Sequence, residues 1–219
     1  MPGFELIGEE EFLEVKSVFD ESGILFRHSF DHLRNGMFKV KEFEDAFADR
    51  MKVPYALAVT SGTAALRVAL AALNVKRDDE IITQSFTFVA TAEAIIESGA
   101  KPVIADIDAT LNMDPNDLEN KITKKTKAII VVHMLGTPAK LKEIKRISDK
   151  YGIPLIEDTA WGCGGKYDDI PLGTYGSIGT FSFDFAKTIT TGEGGMIVFN
   201  NEKLFQKAAA WHDHGHENN

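Results

Sequence analysis

The chain holds 219 residues, 44% hydrophobic and 26% charged, with a formal net charge of −9. That is enough chain to bury a full core, as one large domain or two small ones, and the acidic balance excludes a general nucleic-acid binder, which needs a basic face. No apolar run is long enough for a membrane span, the start Met1-Pro2-Gly3-Phe4-Glu5 lacks the basic and apolar regions of a secretory signal, and the lone Cys163 excludes an internal disulfide or a paired-cysteine metal knuckle, which fits a reducing cytoplasm.

Glu10 to Glu21 reads as a helix with Phe12, Val15, Val18 and Phe19 on one face, and Lys41 to Met51 as a second with Phe43, Phe47 and Met51 in register. Strand and helix signals then alternate. Tyr55 to Val59 is a strand, Thr63 to Leu73 an alanine-rich helix, Glu80 to Thr83 a strand, Ala90 to Glu97 a helix, and Val103 to Ile107 a strand. Asp114-Pro115 predicts an N-cap and first helical residue, opening a short helix through Lys121. Lys127 to Val132 is a strand, and Ala139 to Tyr151 a helix that Gly152 stops. Ile153 to Glu157, Ile178 to Phe183 and Met196 to Phe199 complete the strands. Several are continuous apolar runs, as strands covered on both faces require. The pattern predicts a three-layer α/β domain with a mostly parallel sheet. Such sheets bind ligands outside the carboxyl ends of their strands, and Ser61, Asp158 and Lys187 fall there.

Thr60-Ser61-Gly62-Thr63 bridges a strand and a helix start. Free helical amides and hydroxyls make a phosphate cradle there; the plainer reading is an N-cap. Asp158 closes a buried strand. A carboxylate in that place can hold a protonated pyridine nitrogen or simply cap the next turn. Glu157 is expected to point away, because side chains alternate along a strand. Phe88, in Ser85-Phe86-Thr87-Phe88, can stack on a flat ring or belong to the core. Lys187 follows Phe181-Ser182-Phe183-Asp184-Phe185-Ala186 and precedes Gly192-Glu193-Gly194-Gly195. Apolar neighbours Phe183, Phe185 and Ile189 are expected to disfavour its charged form and make the amine nucleophilic; an ordinary surface lysine is the alternative. A Schiff-base lysine and a carboxylate for a pyridinium are the two protein groups that pyridoxal phosphate chemistry needs. Arg27, His28 and His32 are candidates to meet an anionic substrate. His212-Asp213-His214-Gly215-His216 reads as a loop that contacts substrate or solvent, with no metal assigned to it.

Together these segments resemble the DegT/DnrJ/EryC1/StrS family of pyridoxal-phosphate-dependent sugar aminotransferases. The likeness rests on Thr60 to Leu66, Ser85 to Thr91, Ile156-Glu157-Asp158, and Phe181 through Lys187 to Gly195. It implies the large domain of the aspartate-aminotransferase-like fold type I, with Lys187 as Schiff-base lysine and Asp158 as partner of the pyridine nitrogen. It further implies Gly62, Thr63 and Ser182 as phosphate ligands beside Ser61, and Phe88 as the stacking aromatic. Met1 to Leu6, Phe30 to Asn35, Val132-His133-Met134 and Asp213 to His216 resemble the branch with 8-amino-3,8-dideoxy-manno-octulosonate transaminases. The implied reaction moves an amino group from glutamate to a keto-sugar, either an 8-keto octulosonate or a nucleotide-linked sugar, for lipopolysaccharide assembly. A cytoplasmic homodimer is implied as well. Related dehydratases carry His where Lys187 stands, so the lysine favours transamination. A non-catalytic, cofactor- or sugar-binding regulator is the alternative.

The sequence departs from the family in two ways. Trp161 stands where members carry Gln or His, and an indole can donate but not accept a hydrogen bond. Residues 1–219 are read as the large domain, with a helical segment over about 1–52, and the family's small C-terminal domain is expected to be missing.

Overall fold

The structure, a computed structural model, describes residues 3–215. Its first elements are α1 (Glu9–Glu21) and α2 (Lys39–Met51), followed by β1 (Tyr55–Val59), α3 (Gly62–Ala72), β2 (Glu80–Gln84), α4 (Val89–Glu97) and β3 (Lys101–Ala105). Next come α5 (Pro115–Lys121), β4 (Thr126–Val132), α6 (Leu141–Tyr151) and β5 (Leu155–Asp158). A small hairpin of β6 (Lys166–Tyr167) and β7 (Ile170–Pro171) leads to β8 (Ile178–Ser182), β9 (Gly195–Phe199) and α7 (Glu202–His212).

Seven strands form the main sheet in the order β1-β9-β8-β5-β4-β2-β3. β9 runs antiparallel to both its neighbours, and every other pairing is parallel. Strand alternation sends Leu57, Ile130, Ile156, Ile178 and Ile197 to one face, where Leu66 and Leu70 of α3, Ile95 of α4 and Ala208 of α7 cover them. On the other face, Ile129, Val131 and Leu155 meet Leu118 of α5 and Ile144 and Ile147 of α6. Further along that face, α2 packs Phe47 and Met51 against Phe181 and Met196. The expected three-layer α/β architecture is present.

Local signals fix the element ends. Asp114 accepts a hydrogen bond from the Asn116 amide (2.9 Å) ahead of Pro115, as expected for α5. Gly152 takes φ 64° after α6, a left-handed turn that glycine adopts without strain. The Ile153 amide bonds back to Ser148 (2.9 Å) and Pro154 has no amide, so β5 begins at Leu155 rather than Ile153 and extends to include Asp158. β3 starts at Lys101, earlier than its apolar run, because Lys101 and Pro102 align beside Glu80 and Ile81 at the sheet edge, where proline is tolerated. Helix α7 covers a stretch with no predicted element and takes in His212, the first residue of the expected loop: Asn201 caps it by accepting from the Leu204 amide (3.1 Å), and Ala208 and Ala209 are buried.

Helix α1 forms where expected, but none of its residues is buried. Phe12, Val15 and Phe19 stay 59%, 61% and 58% exposed.

Candidate active site

A pocket opens at the carboxyl edge of the sheet, where β4, β5 and β8 end beside the amino ends of α3 and α4. Val132, Asp158 and Ser182 close those strands and all line it. They share the parity of Ile130, Ile156 and Ile178, which face α3. Glu157 has the opposite parity and is fully buried on the other side, as expected. There it accepts from His133 Nε2 (3.0 Å) and from the amides of Gly173 (2.9 Å) and Gly176 (2.7 Å). His133 Nδ1 accepts from the Ala139 amide (3.2 Å), which leaves the ring proton on Nε2.

One corner suits an anion. Ser61 Oγ accepts from the Ala64 amide (3.0 Å), so its side chain serves as the N-cap of α3. The Gly62 and Thr63 amides head the helix with no earlier helical carbonyl in reach, at the positive end of the dipole. A Cβ on Gly62 would lie 2.8 Å from Ser182 Cβ and 3.2 Å from its Oγ. The absent side chain brings the Ser182 hydroxyl against the helix start.

At another wall sits Asp158, 6% exposed. One carboxylate oxygen accepts from Thr91 Oγ1 (3.0 Å) and the other from the Ala160 amide (3.2 Å). Thr91 uses its one proton on Asp158, so it accepts from Thr87 (2.8 Å). Burial raises the Asp158 carboxyl above the ordinary aspartate range, against those two hydrogen bonds and the charge of Lys187. A cationic group placed opposite it would restore the ionised form. Thr91 and Thr87 were not singled out by sequence; the available signal was a hydroxyl on the inward side of an otherwise apolar helix start.

Lys187 sits in a turn beyond β8, not on the strand itself. Its amide donates to Asp184 O (2.9 Å), and its Nζ lies 3.8 Å from the centroid of the Trp161 ring. Partial burial lowers the amine below the ordinary lysine value, while Asp184 and Asp158 oppose the shift. The apolar surround is not the one expected. Phe183 packs into the α2 side of the sheet, and Phe185 and Ile189 are exposed; Trp161 supplies the contact. Phe88 lines the rim, 64% exposed. Asp184, Ala186 and Glu193, which carried no assigned role, also line the pocket.

Arg27, His28, His32 and His214 are not among its lining residues. Arg27 pairs with Glu44 and lies 3.2 Å from His212 Nδ1, and His28 Nε2 pairs with Asp213 (2.8 Å). The polar ends of Arg27 and His28 join the N-terminal segment to the end of α7. His32 and His214 are exposed, in a short helical turn and a left-handed turn respectively. His216 lies outside the described residues.

An anion corner, a buried carboxylate and a half-buried amine around an apolar, partly aromatic space fit a flat phosphate ester with a carbonyl and a basic ring nitrogen. Pyridoxal phosphate has that chemistry.

Comparison with known proteins places the pocket in context. The DegT/DnrJ/EryC1/StrS aminotransferase family profile matches residues 28–219. GDP-perosamine synthase of Escherichia coli O157:H7 is 43% identical across 77% of this chain and 46% of that enzyme. Helicobacter pylori PseC, an aminotransferase involved in the biosynthesis of pseudoaminic acid, superposes with a TM-score of 0.85 at 30% identity, covering 95% of this chain and 54% of that one. Bacillus subtilis NtdA, solved with bound cofactor PMP, gives a TM-score of 0.82 at 30% identity, covering 95% of this chain and 46% of that one. The chain spans about half the length of the curated relatives it matches.

Proposed function

The chain belongs to the DegT/DnrJ/EryC1/StrS aminotransferase family, and from that premise we propose that it serves amino-group transfer from an amino acid, glutamate, to a keto-sugar. Its fold is that of the type I pyridoxal-phosphate-dependent aminotransferases, and the family depends on that cofactor. The observation that carries the reading is the convergence of Lys187, Asp158, Ser182 and the α3 amino end on one pocket.

Pyridoxal phosphate, when bound, supplies a carbonyl for amine exchange and a ring that accepts electrons. The residues of this chain do the rest. The Gly62 and Thr63 amides and the Ser182 hydroxyl hold the phosphate, with Ser61 fixing the helix start. Asp158 holds the protonated ring nitrogen; the ion pair offsets the burial that otherwise favours its neutral form. Thr91 fixes the rotation of that carboxylate. Phe88 and Trp161, which line the pocket, would border the ring. Lys187 Nζ, with its amine shifted toward neutrality, is the group that would hold the cofactor's carbonyl carbon and would carry a proton to and from the substrate carbon.

The acceptor is a nucleotide-linked keto-sugar, a choice supported by the name of the GDP-perosamine synthase relative; an 8-keto octulosonate is the second candidate. Residues 1–219 serve as the large domain, with a helical segment over about 1–52. The protein works as a cytoplasmic homodimer, and the exposed apolar face of α1 supports association.

The test is reductive trapping. The chain is incubated with pyridoxal phosphate, reduced with borohydride and digested, and the pyridoxyl group is located by mass spectrometry. An adduct at Lys187 is expected, lost in Lys187→Ala. No specific adduct in the unmodified chain overturns the reading. Turnover of glutamate with a keto-sugar then separates an enzyme from a silent binder.

A further inference from the structure

The N-terminal residues Gly3 and Phe4 precede the matched family region, and the pocket does not use them. They nonetheless reach the loop that carries Lys187. The Gly3 amide donates to the Lys187 carbonyl at 2.7 Å. Gly3 is buried, and a Cβ there would lie 2.8 Å from Thr188 O, 3.1 Å from the Thr190 amide nitrogen and 3.2 Å from Lys187 O. All three are backbone atoms, so no rotamer change could make room. One residue on, the Phe4 ring stacks on Phe185 with centroids 4.3 Å apart and planes 9° from parallel.

We infer that Gly3 and Phe4 form a strap that positions Lys187 for its attachment to the cofactor. The inference rests on the reading of Lys187 given above. The loop's inner side is tied to the sheet: Thr190 Oγ1 and the Thr191 amide both donate to Phe183 O, each at 3.1 Å. The strap holds the outer side, at Lys187 itself and two residues before it. Helix α1, which follows the strap, buries none of its residues and so does not anchor it to the core. The described contacts of Gly3 and Phe4 are instead with the lysine loop. Ordering both segments together narrows the positions open to Nζ before any ligand arrives, which is the usual gain from preorganisation.

The strap is tested with Gly3→Val, which cannot fit, Phe4→Ala, which removes only the stack, and Phe4→Tyr, which keeps it. Two readouts are compared in the full chain: hydrogen exchange of residues 184–191 without cofactor, and the fraction of Lys187 trapped by borohydride at limiting pyridoxal phosphate. Gly3→Val and Phe4→Ala are expected to speed exchange in that segment about tenfold while β4, β5 and β8 keep their protection. Trapping at Lys187 is expected to fall about threefold or more as the amine loses its placement. Phe4→Tyr is expected to behave as the unmodified chain. Equal trapping in all four proteins overturns the strap while leaving the cofactor reading intact, whatever the exchange shows. No trapping at Lys187 in the unmodified chain overturns both.

Discussion

At the carboxyl edge of the sheet, polar side chains are buried; along α1, apolar ones are exposed. Asp158, Thr91, His133 and Glu157 lie at 6% exposure or less, while Phe12, Val15 and Phe19 stand near 60%. The buried groups are joined by hydrogen bonds: Thr91 to Asp158, His133 to Glu157, and the Gly173 and Gly176 amides to Glu157. A satisfied polar network is costly to misassemble and therefore fixes one arrangement. The α1 face has no such internal partner, so its energetics depend on what covers it. One region is fixed by hydrogen bonds within this chain; the other has no buried residue to fix it.

The sharpest way to break the first region is Gly195→Ala. A Cβ there would meet Ser61 O at 2.5 Å and Phe181 O at 2.9 Å, both backbone atoms of adjoining segments. Separating β9 from its neighbours is expected to cost about 3 kcal/mol or more, read from urea unfolding, with loss of Lys187 trapping.

Asp158→Asn sharpens the contrast through its sign. Burial raises the Asp158 carboxyl, so the cofactor-free folded chain holds that proton more tightly than the unfolded chain does. Its contribution to stability is complete below the unfolded aspartate value and is lost as pH rises toward the raised folded one. The asparagine stays neutral throughout. Without cofactor, Asp158→Asn is expected to melt higher than the unmodified chain at pH 7 and to flatten the fall in stability with rising pH. A lower melting temperature at pH 7 would show that Asp158 is ionised and stabilising without a ligand.

Phe12→Ser is expected to change unfolding free energy by no more than about 0.5 kcal/mol, as for an exposed side chain. It should instead weaken self-association in sedimentation. A large loss of stability would place α1 within the folding unit.

Much of this was legible in sequence, for reasons that differ by element. The parallel strands are continuous apolar runs between turn signals, and α5 carries its own cap in Asp114-Pro115. Asp158 and Ser182 were legible as strand-end polar groups. The wrong neighbours were assigned to Lys187 because sequence proximity was taken for contact: strand parity carries Phe183 away, and Trp161 arrives from the β5 side. The Arg27 and His28 pairings with the end of α7 join residues far apart in the chain, which no local pattern encodes. Helix α7 was less legible: beyond Asn201 before Glu202 as a cap signal, its apolar pattern is short, and only its last residue, His212, falls in the expected loop.

The antiparallel β9 also sets a timetable for synthesis. Tyr55 pairs with Phe199 and Val59 with Gly195, so β1 emerges from the ribosome long before β9, its one strand partner among the described residues. Contacts this distant in sequence form late and slow the search for the native state. Until then β1 has no ladder, although Glu44 of the preceding helix can already shield its edge by accepting from the Ala58 amide (2.8 Å). Ser61 lies just past β1, while Ser182, Lys187 and Gly195 all belong to a stretch translated much later. A chain interrupted before that stretch can carry the helix cap for a phosphate but has no amine with which to retain the cofactor.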